Sequence, residues 1–169
     1  MPIRTFDGKS PKLHPTVYVN ELAYISGDVE MGENCNVWPG ASIRGDSAKI
    51  VIGKGCSVQD GVVIHCDDSI VIEDQVLMGH GAIVHGRRIG HNTLIGINAT
   101  ILDQAEVGEF CVIGANALVS AKMKVPPGSF VVGVPGQIKG PITASQRKYL
   151  ETIGQFYVAR SRRYIEQGL

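Results

Sequence analysis

Aromatic side chains are scarce in this chain: one Trp, five Tyr and four Phe among 169 residues. Charge is sparse as well, at 19% of residues, and it cancels, with 16 Lys and Arg against 16 Asp and Glu. A chain so weakly charged and 44% hydrophobic is too apolar to stay disordered. Its neutrality argues against general nucleic-acid binding. No apolar run approaches the ~18 residues a membrane helix needs. The opening Met1-Pro2-Ile3-Arg4-Thr5-Phe6-Asp7 lacks the apolar stretch of a signal peptide. The four cysteines, Cys35, Cys56, Cys66 and Cys111, form no CxxC pair, which argues against a disulfide framework. The expectation is a reduced, cytoplasmic protein with no membrane or nucleic-acid partner.

What is abundant is small and aliphatic. Glycine supplies 21 residues, well above the usual ~7%. An aliphatic residue recurs every six positions: Val19, Ile25, Met31, Val37, Ile43; Ile52, Val58, Ile64; Ile72, Met78, Val84; then Ile95, Ile101, Val107, Ile113, Val119, Val125, Val131. A period of six fits neither a helix at 3.6 residues per turn nor a strand alternating every two. It fits a short strand and a corner of fixed length. Three hexads close one triangular coil of 18 residues, and stacked coils form parallel sheets about 4.8 Å apart. The anchors point inward. A small residue two places earlier fits the inner corner, and Cys35, Cys56 and Cys111 sit there as core thiols. Glycine often follows the anchor, where it is expected to serve the turn.

The pattern resembles the hexapeptide-repeat, left-handed parallel β-helix proteins. That resemblance supplies the hand. The fold class is thus all-β, a triangular prism over residues 1–141 followed by an α-helix over residues 142–169. Thr143-Ala144-Ser145-Gln146 reads as a capping box opening that helix. Leu150, Ile153, Tyr157 and Tyr164 give it an apolar stripe, so it can lie along the prism or cover its end. The segment carries five basic and two acidic residues, read as a solvated face on an acidic body.

Coil arithmetic places the histidines. The step from Ile43 to Ile52 is a hexad plus three, and that from Ile64 to Ile72 a hexad plus two. Such insertions should bulge out as loops and leave the register intact. His65 follows anchor Ile64, and His85 follows anchor Val84, one coil plus two residues later. Arg44 joins the same column one coil earlier. His80 lies two places after Met78, on a neighbouring face, above Gln59 and Asp60. His14 and His91 read as exposed and ordinary. The columns point apart within one chain, but a three-fold trimer would bring one against the other. Three imidazoles and an open position make a catalytic zinc site, where a bound water's pKa falls to about 7. The plainer possibility is three surface histidines without a shared purpose.

Val37-Trp38-Pro39, Ile43-Arg44-Gly45-Asp46, Val58-Gln59-Asp60, Ile64-His65, Gly79-His80 and Val84-His85-Gly86 together resemble the γ-class carbonic anhydrases. The resemblance implies reversible hydration of carbon dioxide to bicarbonate by a homotrimer. It implies metal ligation by His65 and His85 with His80 of an adjacent subunit, the metal being zinc, iron(II) or cobalt. It implies interface ion pairs through Arg44, Asp46 and Asp60, a hydrogen bond from Gln59 near the reacting water, and a helix tyrosine, Tyr157, at the site. Ser47 departs from the family's glutamate, and the loop after His65 is short, leaving Asp67 and Asp68 as the nearest proton carriers. Three other activities fit the same prism: hexapeptide acyl transfer, metal-dependent thioester hydrolysis, and a non-catalytic trimeric scaffold.

Overall fold

Residues 3–169 of the chain are described by a computed structural model. Apart from two longer strands, Tyr24–Met31 and Ser42–Ile52, strands of two to four residues alternate with corners from Tyr18 to Val132, and each pairs in parallel with the strand one coil away. The anchors register on one another on all three faces: Ile25, Ile43, Ile64, Val84 and Ile101 down one, Val37, Val58 and Met78 down the second, and Ile52 on Ile72 on the third. Except for half-buried Val19, every anchor named above is buried. The product is a parallel β-solenoid with a narrow aliphatic core and a C-terminal helix. Among the described residues, no helix is long and apolar enough to cross a membrane.

Three details differ from the sequence reading. The first insertion is not a loop. Ser42–Ile52 runs as one strand through its corner, and Tyr24–Met31 does the same beneath it. Their pairing fuses two faces of the prism into a single twelve-stranded sheet. The ladder itself is interrupted there: pairing steps from Gly27 on Gly45 to Val29 on Ile50, so residues 46–49 bulge out of register within a continuous strand. Secondly, Ile89 is a fully buried anchor, in register with Ile72 and Val107. It follows Val84 by five residues, so a strict period of six passes over it. Ile50 and Ile70 likewise add to the core inside the two insertions.

The third correction concerns glycine. A residue with positive φ stands three places after an anchor at thirteen corners: Gly at 40, 55, 61, 81 and 128, and otherwise Asn34, Gln75, Asn92, Asn98, Gln104, Phe110, Asn116 and Lys122. These left-handed residues make the turns. Glycines directly after the anchor have another purpose. A Cβ on Gly96 would stand 2.6 Å from the backbone of Ala115, and one on Gly108 2.6 Å from that of Pro127. They let successive coils touch.

Ala144–Glu166 forms the helix, and Thr143 and Gln146 close the expected capping box. It covers no end of the prism. It lies along one edge, where Arg147 stacks on Phe110, Asn92 donates to the Leu150 carbonyl, Gly154 meets Gln75, and Arg162 reaches Asn34. Its 23 residues extend about 34 Å. Seven stacked strands about 4.8 Å apart span nearly the same length, about 29 Å. Tyr157 and Tyr164 pack edge-on against Trp38, and Tyr164 also against Tyr18.

All four cysteines are free and at most 1% exposed. Burial pushes the Cys66 thiol up to about 11 and raises those of Cys111 and Cys56. We expect alkylation of Cys66 by iodoacetamide at neutral pH to be at least about 100-fold slower in the native protein than in denaturant, and that of Cys111 to be slowed as well, because the thiolate is the reactive form. Mass spectrometry of quenched samples checks this. Rapid native labelling of Cys111 would contradict the packing.

Candidate metal centre

The three edges of the prism are not alike. One carries the helix. A second, following Val37, Val58 and Met78, carries Trp38, Gln59, Asp60 and His80. The third follows Ile25, Ile43, Ile64 and Val84, and there the left-handed turn is missing. Three places after those anchors stand Asp28, Asp46, Asp67 and Arg87, none with positive φ. All the irregular steps of nine, eight and five residues fall on this edge. Here the backbone is free to present side chains instead of closing tightly.

Arg44 pairs in register with His65, and the strand of His85 lies one coil further on, with Val84 on Ile64. The column read from the sequence therefore exists. His65 Nδ1 and His85 Nε2 face each other at 3.1 Å, with ring planes tilted by 47°. Each ring's other nitrogen meets a carboxylate. His65 Nε2 donates to Asp46 Oδ1 at 2.8 Å, and His85 Nδ1 pairs with Asp103 Oδ1. Burial opposes ionisation of Asp46, but the hydrogen bond from His65 and the charge of Arg44 outweigh it and hold the carboxyl below its usual range. An ionised carboxylate only accepts, so the nitrogen facing it carries the proton. Two lone pairs are then left pointing at one another. They are compatible at 3.1 Å only with a cation between them, either a proton or a metal ion.

His80 is held in the same way on its own edge. Its Nδ1 lies 3.0 Å from Asp60 Oδ2, and about half of its side chain is exposed. Gln59 is buried beside it, one coil below Gly79. Tyr157, on the helix, packs on Trp38 of this same edge. The chain thus assembles Arg44, Asp46, His65 and His85 at one edge, and gathers Gln59, Asp60, His80 and Tyr157 toward the other. His80 is not among the groups whose ligand atoms cluster with those of His65 and His85. The remaining histidines differ. His14 is exposed, with Glu33 beyond hydrogen-bond reach at 3.9 Å. His91 is half-buried and stacks edge-on against Phe110, so it is not the exposed residue the sequence suggested.

Asp103 escaped the sequence reading. It stands two places after anchor Ile101, in the coil above His85, whereas the column itself continues to Leu102, so spacing alone passes over it. With Asp67, Asp68, Arg87 and Gln104 it lines a cleft of about 210 Å³ opening beside His85. Beside the histidine pair, Val63 and Ile83 form an exposed apolar strip with Tyr24, and Ile97 is exposed above His80.

Comparison with known proteins gives a consistent setting. Residues 88–121 match the bacterial transferase hexapeptide family. The carnitine operon protein CaiE of Escherichia coli K12 is 30% identical over 164 residues, covering 91% of this chain and 84% of that protein. A hexapeptide transferase family protein from Anaplasma phagocytophilum is 32% identical, with a TM-score of 0.93 over 96% of this chain and 97% of the other. A Bacillus cereus protein described as a candidate acetyltransferase is 36% identical, with a TM-score of 0.93 over 96% and 95%.

Proposed function

The chain belongs to the hexapeptide-repeat transferase family, in the company of the CaiE proteins, and from the geometry of its histidines we propose that it is a metal-dependent enzyme hydrating carbon dioxide to bicarbonate at sites shared between the subunits of a homotrimer. One observation carries this reading. His65, His80 and His85 each commit one ring nitrogen to a carboxylate, and the remaining nitrogens of His65 and His85 face each other at 3.1 Å. Metal-ligating imidazoles are held in this manner, because the second partner fixes the tautomer and raises the basicity of the ligating nitrogen.

A bound zinc, iron(II) or cobalt(II) ion would supply Lewis acidity and lower the pKa of a water ligand to about 7. The chain's own groups do the rest. Asp46 and Asp103 orient the histidine pair, and Asp60 orients His80. Arg44 keeps Asp46 ionised. Gln59 offers an amide at the edge that would face the pair. Asp68, in the cleft beside His85, is the carboxylate we assign to proton removal. Since His80 stands on a different edge from the pair, a second copy must deliver it. The apolar strip of Tyr24, Val63 and Ile83, and Ile97 beside His80, are the surfaces such a contact would bury.

A second reading, acyl transfer from a thioester, draws on the comparisons. The matching family is described as transferases, and the Bacillus cereus neighbour carries an acetyltransferase description. These names weigh more for acyl transfer than for hydration, whereas the paired lone pairs weigh for a metal. One set of measurements separates the two. Metal analysis after purification without added zinc should find about one metal per chain, and stopped-flow hydration of carbon dioxide should vanish with chelator and return with zinc. Metal-independent release of thiol from acetyl coenzyme A, without hydration, would establish acyl transfer instead. A trimer with no metal and neither activity would leave a scaffold.

A further inference from the structure

Four carboxylates surround the histidine pair. Asp46 and Asp103 are bonded to the imidazoles themselves. Asp68 accepts a hydrogen bond from Gln104 of a later coil. Asp67 alone has no hydrogen bond or ion pair among the described residues. It is nonetheless close: a carboxylate oxygen of Asp67 and one ring nitrogen each of His65 and His85 all lie within 4.8 Å of one another. The neighbouring tie from Asp68 to Gln104 pins the short loop after His65, and so keeps Asp67 on the side of the pair.

The position has a structural origin. At thirteen other corners the third residue after the anchor is a left-handed turn residue. Here that place belongs to Asp67, and two extra residues in the step from Ile64 to Ile72 allow it to face the histidines. There it meets a pair whose second ring nitrogens face each other at 3.1 Å.

We propose that Asp67 is a metal ligand, so that a single chain carries a complete two-histidine, one-carboxylate site for a divalent first-row cation and loads it without His80. Such a set leaves positions open for other ligands, and its oxygen donor suits iron(II), cobalt(II) or manganese(II) as readily as zinc. This rests on the metal reading above and deepens it: His80 of a second copy would then arrive at a site already occupied by the cation.

Cobalt(II) titration of the chelator-stripped, full-length protein tests this, with visible absorption for geometry and elemental analysis for stoichiometry. We expect about one cobalt per chain in the wild type. His80→Ala should bind within about tenfold of that affinity. Asp67→Asn should bind at least about 100-fold more weakly, with an altered absorption envelope, and Asp67→Glu should restore part of the loss. Circular dichroism verifies that the variants fold. If Asp67→Asn binds cobalt like the wild type, or if His80→Ala alone abolishes binding, the carboxylate ligand is refuted while the histidine centre stands. If the wild type takes up no cobalt, the metal reading itself fails.

Discussion

Alanine in place of His85 is expected to strip the purified protein of its cation and lower carbon dioxide hydration by more than about 100-fold. Loss of an orienting partner alone costs 10–100-fold in metal affinity or activity, and removing a ligating nitrogen should exceed that. The variant should fold. His85 is only partly buried, and its backbone stays bonded to the Ile101 carbonyl. The Asp103 carboxylate, relieved of its imidazole, is 60% exposed and returns to water. His14→Ala serves as control, since that exposed ring belongs to the entry segment, away from the pair. Elemental analysis of both variants, with hydration rates at saturating zinc, gives the result. A His85→Ala protein that keeps one metal per chain would remove the pair from the site.

Gly27→Ala should be the most damaging single methyl in the solenoid. Gly27 has φ +78°, and an added Cβ would lie 2.3 Å from the carbonyl oxygen of Gly45. Both atoms belong to the paired strands Tyr24–Met31 and Ser42–Ile52. The backbone there is rigid, and neither strand can yield without opening the spacing between coils. Backbone strain of this kind costs about 1–3 kcal/mol, and the clash adds to it, for a total of about 3–4 kcal/mol. That corresponds to a fall in Tm of roughly 6–16 °C for a chain of this size. Gly8→Ala is the comparison, because Gly8 has φ +74° with nothing within 4 Å of its Cβ position. It bears the conformational strain alone. Calorimetry of the two should show a wide gap, and equal Tm values would mean that the coils are not in contact at Gly45. Gly45 stands between Arg44 and Asp46, so Gly27→Ala should also loosen the hold of Asp46 on His65.

The repeat made most of this visible beforehand. Anchors at fixed spacing set the register, and whole coils plus insertions placed Arg44, His65 and His85 in one column and Asp60 and His80 in another. Such arithmetic works because parallel coils stack residue upon residue. It fails where the chain departs from the period. Ile89 was hidden by a step of five, and the continuity of Ser42–Ile52 by taking its bulge for a loop. Asp103 and Asp67 were hidden for another reason. Their part depends on where a carboxylate reaches, across one coil or around one loop, and spacing reports only where the backbone lies. The helix gave its capping box openly, but not its edge. Gly154 and Ser161, both buried, let it settle against the corners, and neither belongs to an apolar stripe.

The lie of that helix bears on how the molecule comes apart. A stack in which each layer touches only its neighbours should unravel from its ends, layer by layer. Here Arg147 grips Phe110 near the last coils, while Tyr164 grips Tyr18 in the first. Fraying at either end must first release the same rigid rod, which is also fastened at the other. Layers distant along the axis thereby become direct thermodynamic partners. Amide hydrogen exchange should accordingly show terminal coils protected nearly as long as central ones, and a single unfolding event where the repeats alone would give a gradient.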